Sequence, residues 1–178
     1  QGVSEELLSE LDGFTGAVGI WDSGRPGPVT AFRFDIDCVQ VGETSDPAHE
    51  ANAGGYASER PNLMHACGHD GHLAVGLGVA QWIKDHADQL CGKIKLVFQP
   101  AEEGTRGARA MAESGILDDV DFIVCTHIGS SVPLHQVAVC THGYLATTKL
   151  DIYFEGVPAH AGANPEKGRS ALMAACSA

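Results

Sequence analysis

The chain has 178 residues, and its 11 Lys and Arg against 23 Asp and Glu give a formal net charge of −12. This acidic excess disfavours nucleic acid and anionic membrane surfaces as partners, and no apolar run approaches the roughly 20 residues of a membrane span. With 44% hydrophobic and 19% charged residues, the composition is that of a globular protein. The six cysteines are scattered rather than clustered, which is typical of reduced thiols. We therefore expect a soluble, cytoplasmic protein with neither nucleic acid nor membrane as a partner.

The first third of the chain predicts a short helix, two strands and a long loop. Residues 4–11 favour a helix because Ser4 can cap it and two glutamates follow at its positive end. Residues 17–21 and 29–34 are apolar runs on either side of a turn-rich stretch, and we expect them to be strands. Residues 42–62 are polar without a clear period, and a loop of that length is often functional.

The middle of the chain alternates between helix and strand patterns. Residues 72–90 carry a one-sided apolar stripe at helical spacing, and residues 106–114 predict a second helix. Strands are expected at 94–98, where Pro100 ends the run, and at 121–126. This alternation predicts an α/β fold, with a mostly parallel sheet covered by helices on both faces.

Beyond residue 126 the pattern changes. Residues 136–146 look extended, and in residues 149–155 apolar and polar side chains alternate, as in a strand with one solvated face. We therefore place a domain boundary between residues 146 and 147. The chain is predicted to hold a first domain over 1–146 and the start of a smaller α+β domain over 147–178.

Side chains that can bind metal gather next to the predicted strand ends, where an open parallel sheet binds its ligands. Gly68 permits a tight turn that lets the thiolate of Cys67 and the imidazole of His69 face one point, and zinc accepts both. The alternative for this pair is a buried structural cysteine beside a helix-capping histidine. Other candidate groups nearby favour the metal site, and they are Asp35, Asp37, Glu102, Glu103 and His127.

Adjacent glutamates on a turning backbone point in different directions, so Glu102 and Glu103 can have different roles. One can bind metal while the other accepts a proton from metal-bound water. The alternative is a solvated pair at a helix start, where negative charge is favourable. A single histidine at a strand end, such as His127, is more often a hydrogen-bonded core residue, and only the convergence of the other candidates favours it as a ligand. His72 is expected to be structural.

Taken together, these motifs resemble the aminoacylase and carboxypeptidase G class of metallopeptidases, and they fit its amidohydrolase branch best. They occur in the expected order over nearly the whole chain. They are Arg33 to Asp37, His65 to His72, Gln99 to Gly104, Thr126-His127, Pro158 to Gly162, Asn164-Pro165 and Gly168 to Leu172.

The resemblance implies a zinc-peptidase-like catalytic domain with two divalent metal ions per site, manganese or zinc. It implies Glu102 as general base and acid, Asp35 as a carboxylate that orients a ligand, and His160 as a residue of the second domain that reaches the substrate. The ligands that it implies are Cys67, His69, Glu103 and His127.

The activity that the resemblance implies is hydrolysis of the amide bond of a small N-acyl or N-aroyl amino acid, such as p-aminobenzoyl-glutamate, by a metal-bound hydroxide. It also implies a homodimer or hetero-oligomer formed through the second, lid or dimerisation domain. A further histidine ligand and the strands that finish the sheet are expected after residue 178, so we expect the chain to be part of a longer enzyme and inactive alone.

Two alternatives stay open. One is a non-catalytic, metal-retaining subunit or scaffold of a hetero-oligomeric hydrolase. The other, in which Cys67 is a nucleophile, leaves the two glutamates without a role.

Overall fold

The computed structural model describes residues 15–104, 106–129, 131–139, 147–148 and 150–178. Four strands of these residues form one mixed sheet. They are β1 (Ala17–Asp22), β2 (Val29–Asp35), β3 (Lys93–Gln99) and β4 (Phe122–Cys125), in the spatial order β1-β3-β2-β4. Strand β2 runs parallel to both β3 and β4, whereas β1 pairs antiparallel with β3. The predicted α/β fold is confirmed, with an antiparallel strand at one edge of the sheet.

The helices of the described residues are α1 (Glu50–Gly54), α2 (His69–Asp85), α3 (Gly107–Glu113) and α4 (Ala171–Ser177). Helix α2 begins three residues before the predicted start, because Gly68 adopts the left-handed region at φ 90° and turns the chain directly into the helix. Helix α1 lies inside the segment that we expected to be loop. The helix predicted over 4–11 lies outside the described residues.

Helices α2 and α3 give the sheet two separate apolar clusters. Neighbouring residues of a strand point to opposite faces, so Leu96 of β3 joins one cluster and Val97 joins the other. The cluster with α2 contains Phe34, Ile83, Ile94 and Leu96. The cluster with α3 contains Ala31, Val97 and Met111. Helices therefore pack on both faces of the sheet, as predicted.

Gly76 lets α2 lie close to the sheet. A Cβ atom added there would sit 2.5 Å from Cε1 of Phe98 and 2.8 Å from Cδ2 of Phe34. Real Cβ atoms essentially never approach other atoms so closely. This close approach holds the N-terminal end of α2 beside the carboxyl ends of the parallel strands.

Strand β4 is more exposed than its apolar sequence suggests. It pairs with β2 on one side, and its Phe122 and Ile123 side chains are 62% and 52% exposed. Within the described part of the chain, no other strand pairs with its second edge. No helix of the described residues is both long enough and apolar enough to cross a membrane.

The chain divides into two compact units, residues 1–133 and 134–178. The described residues of the second unit contain a 3₁₀ turn (Pro165–Lys167), helix α4 and an isolated β-bridge between Val157 and Arg169. The strand predicted over 149–155 is wrong for its described residues, 150–155, because an alternating segment needs a partner strand for its backbone groups. Residues 136–139 form no strand either, and 140–146 lie outside the described residues. The domain boundary expected between 146 and 147 stays a prediction.

Candidate metal centre

The predicted metal-binding side chains of the first unit meet at one edge of the sheet. Glu102 and Glu103 follow the end of β3, and His127 follows the end of β4. Cys67 and His69 stand at the start of α2. Because β2, β3 and β4 are parallel, their carboxyl ends share this edge, and the helix start faces it.

His69 is common to three groups of candidate ligand atoms, one of which it forms with Asp35 and His72. One atom from each of Cys67, His69 and His127 lies within 4.8 Å of the others, and the same holds for His69, Glu102 and Glu103. The Sγ atom of Cys67 is 3.6 Å from Nε2 of His127. The Nε2 atom of His69 is 3.9 Å from Oε1 of Glu103. Five of the predicted site residues are thus brought together.

The ring of His69 is buried, and only one of its two nitrogens has a hydrogen-bond partner among the residues that the structure describes. Its Nδ1 lies 2.9 Å from the backbone oxygen of Asp37 and 3.2 Å from Oδ1 of the same residue. Since both neighbours are acceptors, Nδ1 carries the proton, and in the neutral ring Nε2 presents a lone pair. That Nε2 atom has no hydrogen-bond partner among the described residues. Leaving a buried polar atom unsatisfied is costly, and a metal-binding histidine typically donates its other N–H to a carboxylate or carbonyl. The residues therefore fit a divalent cation.

The charges around Cys67 favour the same conclusion. Loss of water around its sulfur and the nearby carboxylates, Glu103 before Glu102, raise the pKa of the Cys67 thiol to about 11. A nucleophilic cysteine needs a lowered pKa, so this environment disfavours the alternative in which Cys67 attacks the substrate. A bound cation would offset the crowded negative groups and stabilise the thiolate.

Asp37 connects two of the candidate ligands. While Oδ1 faces the His69 ring, Oδ2 accepts a hydrogen bond of 3.0 Å from the backbone N–H of Glu103. A cavity of about 370 Å³ opens beside Asp37 and Glu103. The motifs predict that Asp35 orients a ligand, and they assign no separate role to Asp37. The signal for Asp37 is the Asp-x-Asp spacing, since residues two apart at a strand end point to the same side.

Asp35 contacts a different histidine. Its Oδ1 accepts a hydrogen bond from Nδ1 of His72, and its Oδ2 pairs with Nη1 of Arg33 at 2.6 Å. The Oδ2 atom of Asp35 lies 3.9 Å from the Nε2 atom of His69, which is too far for a hydrogen bond. Burial opposes ionisation of Asp35, but the hydrogen bond from His72 and the charge of Arg33 together outweigh it and keep the pKa of Asp35 below its usual value. The role predicted for Asp35 as an orienting carboxylate stays a prediction.

His160 belongs to the second unit, where it is exposed. Its Nδ1 accepts hydrogen bonds of 3.1 Å from the backbone N–H groups of both Gly162 and Ala163. These two bonds require a lone pair on Nδ1, so the neutral ring carries its proton on Nε2. The role predicted for His160 in substrate binding also stays a prediction.

The sequence of this chain matches a peptidase family and several curated proteins. Residues 31–178 match the model of peptidase family M20/M25/M40. The chain is 52% identical to a Haemophilus influenzae protein named as a homolog of one subunit of p-aminobenzoyl-glutamate hydrolase, covering 98% of this chain and 41% of that protein. It is 53% identical to the indole-3-acetyl-aspartic acid hydrolase of Enterobacter agglomerans, covering 100% of this chain and 41% of that protein. The chain therefore spans about two fifths of the length of these curated relatives.

Two solved structures share the fold. An aminobenzoyl-glutamate utilization protein from Klebsiella pneumoniae matches with a TM-score of 0.60 and 39% identity, over 99% of this chain and 38% of that one. A dinuclear metal-binding peptidase of the M20 family from Bacillus subtilis matches with a TM-score of 0.60 and 35% identity, over 67% and 31%. The resemblance to metallopeptidases that the motifs indicated is confirmed: the chain belongs to peptidase family M20/M25/M40.

Proposed function

We propose that the protein is a metal-dependent hydrolase that cleaves the amide bond of N-acyl or N-aroyl amino acids. The observation that carries the proposal is the buried Nε2 of His69, which has no hydrogen-bond partner within the described part of the chain and lies among a thiol, a second histidine and two carboxylates. Relatives named for p-aminobenzoyl-glutamate and for indole-3-acetyl-aspartic acid support the substrate class. Both names describe an aromatic acyl group joined to an acidic amino acid, and p-aminobenzoyl-glutamate is the substrate we propose to test first.

We propose that two divalent ions, manganese or zinc, bind at this centre, through ligands Cys67, His69, Glu103 and His127. The M20 neighbour from Bacillus subtilis, described as dinuclear, supports the number. When bound, such ions polarise a carbonyl group and lower the pKa of water.

The proposed reaction adds water to the amide, giving a carboxylic acid and a free amine. Glu102 would accept the proton of the attacking water and deliver it to the leaving amine nitrogen. Asp37 would keep the His69 ring and the Glu103 backbone in place. Asp35 would orient the site through His72, and His160 would donate from Nε2 to the substrate.

We further propose a cytoplasmic homodimer or hetero-oligomer that assembles through the second domain. Relatives named as one subunit of a hydrolase support assembly. The five cysteines among the described residues are free, as is usual in a reducing compartment.

The test compares Glu102→Gln with Glu103→Gln in the full-length protein. Both changes keep the size of the side chain and remove one carboxylate. We expect Glu102→Gln to retain its metal and to lose about 10²- to 10⁴-fold in turnover of p-aminobenzoyl-glutamate, because an amide cannot accept the proton of water. Glu103→Gln is expected to lose metal as well. Metal content is measured by elemental analysis after dialysis.

Equal metal loss in the two variants would show that the roles of the glutamates are wrongly assigned. A wild-type protein that binds two ions but cleaves none of these amides would instead favour the metal-retaining subunit.

A further inference from the structure

We propose that His72 is a positioning residue that fixes His127 at the metal centre by holding the backbone N–H of Ile128. The inference rests on the proposed function, because His127 is there a metal ligand. The proposed reaction gives His72 neither a proton to transfer nor a metal ion to bind, yet its ring is 1% exposed and lies at the site.

The two ring nitrogens of His72 have distinct partners. Nε2 accepts a hydrogen bond of 2.8 Å from the backbone N–H of Ile128. An N–H group can only donate, so Nε2 carries a lone pair and the proton is on Nδ1. Nδ1 donates this proton to Oδ1 of Asp35, whose other oxygen is paired with Arg33. The Asp35 carboxylate therefore selects the tautomer of His72 that can accept from Ile128.

The held N–H belongs to the peptide unit that follows His127. Strand β4 ends at Cys125, so no ladder hydrogen bond with another described strand fixes the chain at His127. The peptide unit between residues 127 and 128 is planar, and anchoring its N–H also fixes the carbonyl carbon of His127. The bond to His72 thereby restricts the backbone from which the His127 ring projects toward Cys67.

Packing around Ile128 shows that the tether depends on a close fit. A Cβ atom added at Gly71 would lie 2.4 Å from Cδ1 of Ile128, and one at Gly68 would lie 3.6 Å from the same atom. The missing side chain at Gly71 thus lets Ile128 approach the first turn of α2, whereas a Cβ at Gly68 would make an ordinary contact. The rings of His72 and His127 also meet edge to face, with centroids 4.5 Å apart.

Two amide variants separate the two hydrogen bonds of His72. In His72→Gln, the longer side chain can place an amide oxygen near the position of Nε2 and still accept from Ile128. In His72→Asn, the shorter side chain can donate to Asp35 but does not reach Ile128. Both residues are polar and neutral, and they differ by one methylene group. His86→Gln is the matched control, because His86 lies at the opposite end of α2 and its Nδ1 contacts the backbone oxygen of Trp82.

The experiment measures zinc and manganese affinity of the full-length protein by calorimetry, together with hydrogen exchange of the peptide that contains Ile128 in the metal-free protein. We expect His72→Asn to weaken metal binding by about 10- to 100-fold and to accelerate exchange at Ile128. His72→Gln should restore most of both, and His86→Gln should match wild type. If His72 only supported the fold, both variants would lower the thermal stability, and they would not differ in metal affinity or in exchange at Ile128.

Equal metal affinity in His72→Asn and wild type would overturn the inference while leaving the proposed function intact. So would an unprotected Ile128 amide in the wild-type protein, a measurement that does not require either variant to fold. Failure of the wild-type protein to bind zinc or manganese would overturn the proposed function together with the inference.

Discussion

Replacing Gly76 by alanine tests whether the close approach of α2 to the sheet positions the metal centre. The control is Gly78→Ala, two residues further along the same helix. A Cβ at Gly78 would meet no atom within 4 Å, whereas one at Gly76 would lie 2.5 Å from Phe98 and 2.8 Å from Phe34. The two variants therefore differ in the space around the added methyl group and share the change in helix propensity.

The expected magnitude follows from two opposing effects. Each substitution stabilises the helix by about 1 kcal/mol, because alanine is the better helix former. At Gly76 the new methyl group must also displace the aromatic rings of Phe34 and Phe98, and Phe34 is only 2% exposed. Overpacking of this kind costs about 1–3 kcal/mol. The propensity effect cancels between the variants, so Gly76→Ala should be less stable than Gly78→Ala by about 1–3 kcal/mol.

The assay is urea unfolding of the full-length protein, followed by circular dichroism, with metal affinity measured on the folded variants. Because α2 begins at His69, lifting the helix from the sheet would also move the His69 ring away from Asp37. We expect weaker metal binding in Gly76→Ala and unchanged binding in Gly78→Ala. Equal stability of the two variants would refute the packing argument, and equal metal affinity would refute its connection to the site.

Two further predictions concern charged side chains. Asp37→Asn should lower metal affinity by about 10- to 100-fold, because the amide has one acceptor oxygen where the carboxylate has two. Calorimetry measures this affinity, and a value equal to that of wild type would contradict the role given to Asp37. The hydrogen bond from Lys95 lowers the pKa of Asp119 in the folded protein below its ordinary value of 3.8. The ionised carboxylate should therefore stabilise the fold fully above pH 3.8. This stabilisation should be lost as the pH falls through the pKa of Asp119 in the folded protein. The urea midpoints of wild type and Asp119→Asn should therefore differ at neutral pH and converge in acid, whereas a constant difference across pH would show that the pair contributes nothing.

The strands of the first unit could be predicted because each is an apolar run bounded by turn residues. Helix α1 could not be predicted, since it has five residues and its one buried member is Ala51. Alternation over 149–155 misled for a physical reason. It shows that one face of a strand can be apolar, but a strand also needs a partner for its backbone groups, and the partner is a tertiary property.

The convergence of Cys67, His69 and His127 could be anticipated because parallel strands end at a common edge of the sheet. The division of labour between Asp35 and Asp37 could not. Their spacing places both carboxylates on the same side, but which histidine each one meets depends on how α2 is rotated as it leaves Gly68. Packing of Gly76 against Phe34 and Phe98 restricts that rotation, and no local pattern around the aspartates encodes this contact.

The strand order also determines when this unit can assemble during translation. Strands β1 and β2 are consecutive in the chain but are not neighbours in the sheet, because β3 lies between them and pairs with both. Among the described strands, β3 is the neighbour that β1 and β2 share, so these two strands cannot be joined in one sheet until residues 93–99 have been synthesised. Closing the intervening chain carries an entropy cost before any contact rewards it. The nascent chain thus exposes two apolar strands throughout the synthesis of the long loop and α2, and this interval is where we expect it to be most dependent on chaperones.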